Sequence, residues 1–576
     1  MFRKNDKHTQ PALISSVNDL PAKQRERLAQ SWAGVFYREF FSRLQEDPFA
    51  VLYADMPSRP NVPVNVLVGL EYLKAGFGWT DEELYDAFAF DMQVRYALGY
   101  QQWGEGDFDL RTLYYFRQRL SEHMQTSGEN LLEQAFEQVT DEQLAAFGLK
   151  TGEQRMDSTM VASNIRQMGR VQLLVTVLQR VQRMLSEADQ GHYAEVLAPY
   201  LKGHAGQYVY RLRGQDMSSH VQRMGVVMQQ LLTALEPGYG AEPVYHVLAR
   251  VFSEHFRLEK DALRVKAGEE LSASSLQSPD DLEATYREKK GIGYRGYVAN
   301  LTETCDLDNP LQLITKVQTA PNHTDDPALL AAAVPDLAAR TDLATLYTDG
   351  GHGGPEADQV LHQHGVSHIQ TALRGRQPET DRLSLADFEL KTADTGQVTE
   401  VTCPAHQTVT VQPGRTPERF IARFEPETCL TCPLRARCPA QPGQRDKRYS
   451  LRFSQPQAHV AQRRRRSLTQ TDGKNRRAAI EATVRSVKHP FPAGKVPVRG
   501  LFRVSCLLIG SAAVSNLRRI GRYLNAKNQP TKPPVVPQRG GQGSPEEQEP
   551  STFVLVLAMF RRCFGLMSLP KLGLGC

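Results

Sequence analysis

The sequence predicts an α/β protein with a mixed-sheet core, an α-helical N-terminal domain, a long helical insert and a small cysteine-rich insert. Residues 1–150 place apolar side chains at helical spacing. Short segments rich in β-branched residues then alternate with longer helical patterns, as expected of an α/β fold. Residues 371–460 are irregular, rich in proline, glycine and threonine, and hold four of the eight cysteines.

The composition indicates a globular chain without a membrane anchor. It has 576 residues, of which 40% are hydrophobic and 23% charged, enough for several domains. The polar N-terminus "MFRKNDKHTQ" does not resemble a signal peptide, and the apolar run at 551–560 is too short to span a bilayer. The few, clustered cysteines indicate a reducing compartment. We therefore expect a cytoplasmic protein.

Positive charge is concentrated near the end of the predicted core. Residues 461–527 contain sixteen lysines and arginines but only two acids, Asp472 and Glu481. Such an excess suits a polyanion, most simply DNA or RNA, and predicts association with the nucleoid. The alternative is a basic surface that only keeps the protein soluble. Taken alone, the run "RRRR" at 463–466 would be explained by this alternative.

The N-terminal domain is predicted to be wholly helical. Residues 63–100 carry apolar side chains at helical spacing, and Thr80 followed by Glu83 has the pattern of a capping box. Residues 109–124 form an amphipathic pattern in which basic and aromatic residues are interleaved. The pattern leaves two hypotheses open: a DNA-binding helical module, or a helical bundle whose aromatic residues form the core.

The core elements follow in an order that brings two aspartates onto strands. We expect a strand with Asp157, a helical insert, a β-hairpin, a helix and a strand that ends at Asp349 because "GGHGG" cannot continue it. Asp349 then lies where sheet enzymes place functional groups, although aspartate also favours turns for conformational reasons alone. The predicted bounds are 154–164, 166–270, 294–303 with 311–320, 326–340 and 343–349.

The remaining segments complete the predicted organisation. Small strands are expected within 396–415, a basic helix carrying Glu481 over about 472–489, and an amphipathic helix over 499–524. Proline and glycine mark a linker after residue 527. The predicted domains are a helical module at 1–150, a core at 151–370 and 461–527, an insert at 371–460, and a linker with a C-terminal tail at 528–576.

Three acids can converge in this arrangement. Asp157 and Asp349 lie on strands and Glu481 on a helix, and hard carboxylate oxygens suit Mg²⁺ or Mn²⁺. Two such ions, about 4 Å apart, can stabilise the attacking and leaving oxygens of a phosphodiester. The alternative for Glu481 is a surface acid that balances the neighbouring arginines.

The cysteines of the insert form a second candidate site. Cys403 is followed by Cys429, Cys432 and Cys438, and the second and third of these make a CxxC pair, a common zinc half-site. Four thiolates would form a closed tetrahedral Zn²⁺ site, with His406 as a competing ligand. Buried or incidental thiols remain the alternative.

Three segments resemble the catalytic blocks of DDE-type insertion-sequence transposases with an RNase H-like core: "MDSTMVASN" (156–164), "LYTDGGHGGPEAD" (346–358) and "NRRAAIEATVRSVKHPFPAGKVPVRGLFRVSCLLIGSAAVSNLRRI" (475–520). The signature of that family on the glutamate helix is Tyr, two residues, Arg, three residues, Glu, six residues, Lys. Arg477, Glu481 and Lys488 fall at those spacings, whereas Lys474 stands at the tyrosine position. Residues 63–100, together with "LRTLYYFRQRL" (110–120), are similar to the helical module that precedes this core. The resemblance covers roughly residues 50–525.

The resemblance implies a DNA transposase whose carboxylates Asp157, Asp349 and Glu481 hold Mg²⁺ or Mn²⁺. It implies phosphate contacts from the basic side chains of the glutamate block, namely Lys474, Arg477, Arg485 and Lys488. The enzyme would cut one strand at an element end, and the freed 3′-hydroxyl would attack target DNA, normally within a homodimer bound to DNA. Two alternatives stay open: a metal-dependent nuclease without strand transfer, and a non-catalytic DNA-binding remnant of a transposase.

Overall fold

A computed structural model describes most of the chain up to residue 528. The described residues are 2–10, 15–54, 60–259, 262–371, 381–393, 396–414, 416, 418–443, 447–469 and 476–528. The described residues up to Ala526 form one compact unit. Almost all of the predicted linker and tail, and also Lys474, lie outside the described residues. The domain boundaries remain a prediction.

The described part of the N-terminal region is helical, as predicted. Thr80 and Glu83 form the predicted capping box. Of the aromatic residues in the amphipathic helix, Phe116 is buried, whereas Tyr114 and Tyr115 are exposed. The helices are α1 (Ala22–Gln30), α2 (Trp32–Glu39), α3 (Val64–Phe77), α4 (Asp81–Phe90), α5 (Met92–Ala97), α6 (Leu110–Ser127) and α7 (Leu131–Ala146).

The helical insert follows the first strand of the core, β1 (Glu153–Ala162). Its apolar side chains form a core of their own, around residues such as Leu174, Met224 and Leu248. The insert is not helical to its end, because alternating apolar and polar residues from Phe256 onward form a hairpin instead. Its elements are α8 (Arg170–Met184), α9 (Glu187–His192), α10 (Ala194–Leu201), α11 (Ala205–Tyr210), α12 (Met217–Tyr239), α13 (Pro243–His255), β2 (Phe256–Glu259) and β3 (Ala262–Val265).

The core is a mixed six-stranded sheet. The predicted hairpin, helix and second aspartate strand are all present, and β4 is an additional edge strand that the sequence pattern did not predict. The elements are β4 (Thr285–Lys289), β5 (Ile292–Thr304), β6 (Ile314–Pro321), α14 (Asp326–Arg340), β7 (Thr345–Thr348), α15 (Pro355–Gln363) and β8 (Ser367–Gln370).

The strand order is β4-β5-β1-β7-β8, with β6 also pairing β5. β5 lies antiparallel to β1, whereas β1, β7 and β8 are mutually parallel. Gly296 marks the point where β5 leaves β4 and joins β1. Its φ of 137° is outside the range of L-residues, and a Cβ there would lie 2.4 Å from the carbonyl oxygen of Val161.

The cysteine-rich insert is more regular than the sequence indicated. It forms a six-stranded antiparallel sheet with an apolar core that includes Phe388, Phe424 and Phe453. The sheet of the insert is therefore stabilised by its own apolar core. The elements are β9 (Glu389–Thr392), β10 (Val398–Thr402), β11 (Thr408–Pro413), β12 (Arg419–Phe424), α16 (Pro426–Leu430), β13 (Gln441–Pro442) and β14 (Tyr449–Ser454).

Three helices end the described chain: α17 (Gln455–Thr469), α18 (Ile480–Lys488) and α19 (Leu501–Asn528). α17 was not predicted, and the four arginines at 463–466 lie on it. The predicted helix over 472–489 is shorter in the structure. α18 begins at Ile480, and residues 476–479 form a turn before it.

α19 packs in the interior of the protein. Gly510 allows α3 to approach closely, because a Cβ there would lie 2.7 Å from the Cβ of Ala75. Among the described helices, α19 alone is long and apolar enough to cross a membrane, but 67% of its most apolar window is buried. This burial is typical of a core helix.

Candidate active site

Asp157 and Asp349 are carried by neighbouring parallel strands. β1 and β7 pair in a register that sets Glu153 opposite Thr345 and Arg155 opposite Tyr347. Continued for two more residues, the same register brings Asp157 opposite Asp349. Residues at equivalent positions of parallel strands project from the same face of the sheet. The two aspartates are therefore neighbours because of strand pairing.

Asp349 follows the last residue of β7 and opens a turn. The backbone N–H of Gly351 donates to its Oδ1 at 2.8 Å, and Nδ1 of His352 lies 2.8 Å from the same oxygen. Asp349 therefore does stabilise the turn that follows it, which was one of the two roles considered from the sequence. This role engages one carboxylate oxygen only, since no described residue donates a hydrogen bond to Oδ2. The side chain remains 31% exposed.

His352 is a site residue that sequence reasoning missed. Its side chain is fully buried beneath the glycine turn. Burial alone would raise the pKa of Asp349, but the hydrogen bond and charge of His352 together hold that pKa well below its usual value. Asp349 is therefore kept ionised. The signal was present in "DGGHGG", because a histidine three residues after an aspartate can reach back across a tight turn.

Asp157 is more buried than Asp349, and the negative charge of Asp349 affects its pKa. Burial raises the pKa of Asp157, the guanidinium of Arg477 opposes this rise, and the negative charge of Asp349 adds to it. Nη2 of Arg477 donates to Oδ2 at 2.9 Å, whereas no described residue donates to Oδ1. The two aspartates thus repel each other, and each has one oxygen without a hydrogen-bond donor among the described residues.

Glu481 lies in the first turn of α18 and is linked to Asp157 through Arg477. Nη1 of Arg477 is 3.5 Å from Oε1 of Glu481, and the same guanidinium bonds to Asp157. The positive charge of Arg477 also lowers the pKa of Asp349. The structure therefore gathers the three predicted acids around one arginine. Glu481 is the most accessible of them, with 55% of its side chain exposed.

The other basic residues of the glutamate block differ in their surroundings. Nζ of Lys488 donates to the carbonyl oxygen of Met160 at 2.8 Å and to the Thr159 hydroxyl at 3.2 Å, so it ties α18 to β1. Arg485 is exposed. Asp157, Glu481, Arg485 and Lys488 line one open groove of about 510 Å³. The phosphate contacts expected of these residues remain predictions.

The donor atoms of this site fit a hard divalent cation. Two carboxylates carry oxygens that accept no hydrogen bond from a described residue, and their mutual repulsion would be relieved by a cation between them. As the side chains stand, no group of three or more His, Cys, Asp or Glu among the described residues is close enough to hold a metal. Arg477 explains this for the acid site, because its guanidinium lies between Asp157 and Glu481.

The four predicted cysteines line one small cavity of about 40 Å³ in the insert. Burial and the other three thiols raise the pKa of Cys429 to about 11. The backbone N–H of Gln407 donates to Sγ of Cys403 at 3.4 Å. His406 does not line the cavity. The four cysteines thus share one cavity without the competing histidine, although as the side chains stand no three of these described residues are close enough to hold a metal.

Residues 402–521 match the family described as "Transposase DDE domain". This segment is similar to the DDE domain of transposases. The match includes Glu481, Arg477 and the four cysteines that line the cavity, and it supports a DDE-type transposase, as the resemblance indicated. It also suggests an RNase H-like fold for the mixed sheet and DNA as the substrate. No curated protein and no solved structure matches the chain.

Proposed function

We propose that the chain is a DNA transposase that cuts the ends of an insertion sequence and joins them to target DNA in the cytoplasm. The observation that carries this proposal is the register of β1 and β7, which pairs Arg155 with Tyr347 and, continued for two more residues, sets Asp157 opposite Asp349. Glu481 is linked to Asp157 through Arg477. A turn-forming aspartate and a surface glutamate would have no reason to converge.

Asp157, Asp349 and Glu481 would hold Mg²⁺ or Mn²⁺, which supplies an activated water and neutralises charge on the phosphate. His352 keeps Asp349 ionised and oriented. Arg477 and the exposed Arg485 bind phosphate oxygens and hold the strand in the groove. Cleavage breaks the bond between phosphorus and the 3′ oxygen, and the freed 3′-hydroxyl then attacks a target phosphodiester. Because two ends must be joined, the active species is a homodimer on DNA.

An assay that follows both steps separates this proposal from its alternatives. Purified protein is incubated with Mg²⁺, a target plasmid and a labelled duplex carrying the end of its element. Nicking followed by transfer of label to the plasmid supports a transposase. Nicking without transfer identifies a nuclease, and binding without nicking identifies a non-catalytic remnant.

Arg477 is expected to compete with metal for the carboxylates. Because its guanidinium bonds to Asp157 and lies 3.5 Å from Glu481, Arg477→Ala should free both acids. We expect Mn²⁺ to bind this variant about tenfold more tightly in the absence of DNA, in line with the effect of one nearby charge. DNA cleavage should nevertheless fall more than about tenfold, because a phosphate contact is lost. Mn²⁺ titration followed by electron paramagnetic resonance checks the first effect.

Arg485→Ala is the matched control for this experiment. Arg485 also lies near Glu481 in sequence but is exposed on α18. Its removal should leave Mn²⁺ affinity unchanged. Equal Mn²⁺ affinity in Arg477→Ala and wild type would show that Arg477 does not occupy the metal position.

We also propose that the cysteine insert binds one structural Zn²⁺ through Cys403, Cys429, Cys432 and Cys438. All four side chains line one cavity, and a closed set of four thiolates is a structural rather than a catalytic arrangement. Burial and the neighbouring thiols raise the pKa of Cys429, and a bound Zn²⁺ would instead stabilise its thiolate. Since the sheet has its own apolar core, the metal would fix α16 and the neighbouring turn.

A further inference from the structure

A fully buried carboxylate lies behind the acid site. Glu303, on β5, has no exposed side-chain surface and accepts bonds from two arginines. Nε of Arg155 donates to Oε1 at 2.6 Å, and Nη1 of Arg519 donates to Oε2 at 2.6 Å. A buried charge of this kind is costly unless it is fully paired, so its position is strongly constrained.

The same carboxylate reaches the helix that carries Glu481. The hydroxyl of Thr483 donates to Oε2 of Glu303 at 2.7 Å, and Arg519 also contacts that hydroxyl. Thr483 is two residues beyond Glu481 and is 2% exposed. The start of α18 is thereby fixed to β5 through a side chain that points away from solvent.

The network also reaches the first aspartate strand. Arg155 is paired with Glu303 in the β1–β5 ladder and precedes Asp157 by two residues, so both project from one face of the sheet. Nη1 of Arg155 donates to the carbonyl oxygen of Arg476 at 2.9 Å, next to Arg477. Glu303 therefore connects the strand of Asp157, the turn of Arg477 and the helix of Glu481.

We propose that Glu303 is a positioning residue that sets the distance between Glu481 and the two aspartates, and so sets the affinity of the acid site for divalent metal. This inference rests on the proposed function. The chain needs such a device because Glu481 comes from a separate short helix, whereas Asp157 and Asp349 are fixed by strand pairing. Partners of metal ligands typically change metal affinity or activity 10- to 100-fold when they are lost.

Thr483→Val and Thr483→Ser form the test pair. Valine keeps the shape of the threonine side chain but removes the bond to Glu303, while both arginines still neutralise the carboxylate. Serine keeps the hydroxyl. Three quantities are measured: the affinity for Mn²⁺ without DNA, the Mg²⁺ concentration for half-maximal cleavage, and the melting temperature. Only those Mn²⁺ sites that are absent from Asp349→Ala are attributed to the acid site.

We expect Thr483→Val to bind Mn²⁺ about tenfold more weakly and to need correspondingly more Mg²⁺, with Thr483→Ser close to wild type. Wild-type metal affinity in Thr483→Val, or an equal loss in Thr483→Ser, would overturn the inference. If Thr483→Val does not fold, Arg155→Lys replaces it, because an ammonium keeps the charge but cannot bridge Glu303 and Arg476. Wild-type affinity in that variant would also overturn the inference.

Failure of the proposed function gives a different result. In that case the wild-type protein itself shows no Mn²⁺ site that depends on Asp349 and cuts no DNA. A failed inference instead leaves wild type binding Mn²⁺ and cutting, with the folded variants indistinguishable from it.

Discussion

Glu481→Gln is expected to lower the rate of DNA cleavage about 1000-fold, equivalent to about 4 kcal/mol of transition-state stabilisation. Glutamine keeps the size of the side chain but loses the charge that a divalent cation requires. Folding should be unaffected, because 55% of the Glu481 side chain is exposed and its ion pair with Arg477 spans 3.5 Å. Single-turnover cleavage, DNA affinity and melting temperature together check this expectation.

Glu356→Gln is a matched control for that variant. Glu356 is an exposed acid in the first turn of α15, as Glu481 is in α18, so the two substitutions are alike in chemistry and helix position. We expect full activity from Glu356→Gln. Equal activity of the two variants would mean that Glu481 is a surface acid balancing the arginines.

Replacement of one cysteine is expected to remove the proposed Zn²⁺ from the insert and to loosen the segment around α16. Wild-type protein should contain one zinc per chain, and Cys429→Ser should contain almost none, because four-thiolate sites bind zinc with about 10–16 kcal/mol in small domains. The segment around α16 should then become sensitive to protease, while the sheet of the insert persists on its apolar core. Elemental analysis and limited proteolysis measure the two effects.

Two further variants define the ligand set. His406→Ala should keep its zinc, because His406 does not line the cysteine cavity. Cys506→Ala should keep it as well, since Cys506 lies on α19 outside the insert. The absence of zinc from the wild-type protein would contradict the proposal. Loss of zinc in His406→Ala would show that His406, and not Cys403, is the fourth ligand.

The pattern of the sequence was sufficient for the strands that carry the acids. β1 and β7 alternate with helices and are bounded by turns, so their positions follow from local composition. The convergence of Asp157 and Asp349 depends on which strands pair and in what register, and local pattern contains no such information. The resemblance to transposases supplied it by analogy, and the register of β1 and β7 now supplies a physical reason.

Other features depend on tertiary contacts that a single sequence does not reveal. α18 is shorter than the basic helix predicted over 472–489, because residues 476–479 form a turn that directs Arg477 toward Asp157. One of the four arginines on α17, Arg463, is buried and pairs with Asp358 on α15 rather than facing solvent. Glu303 resembles any strand glutamate in the sequence. Only the folded chain shows that it is enclosed by Arg155, Arg519 and Thr483.

The comparison of wild type with Asp349→Ala on a labelled element-end duplex, in Mg²⁺ or Mn²⁺, tests the central claim most directly. The account predicts that wild type nicks at the element end and joins the 3′-hydroxyl to target DNA, whereas the variant binds the duplex with similar affinity and does neither. Equal cutting by the two proteins would contradict it. Asp349 would then be a turn residue, and its convergence with Asp157 and Glu481 would have no catalytic meaning.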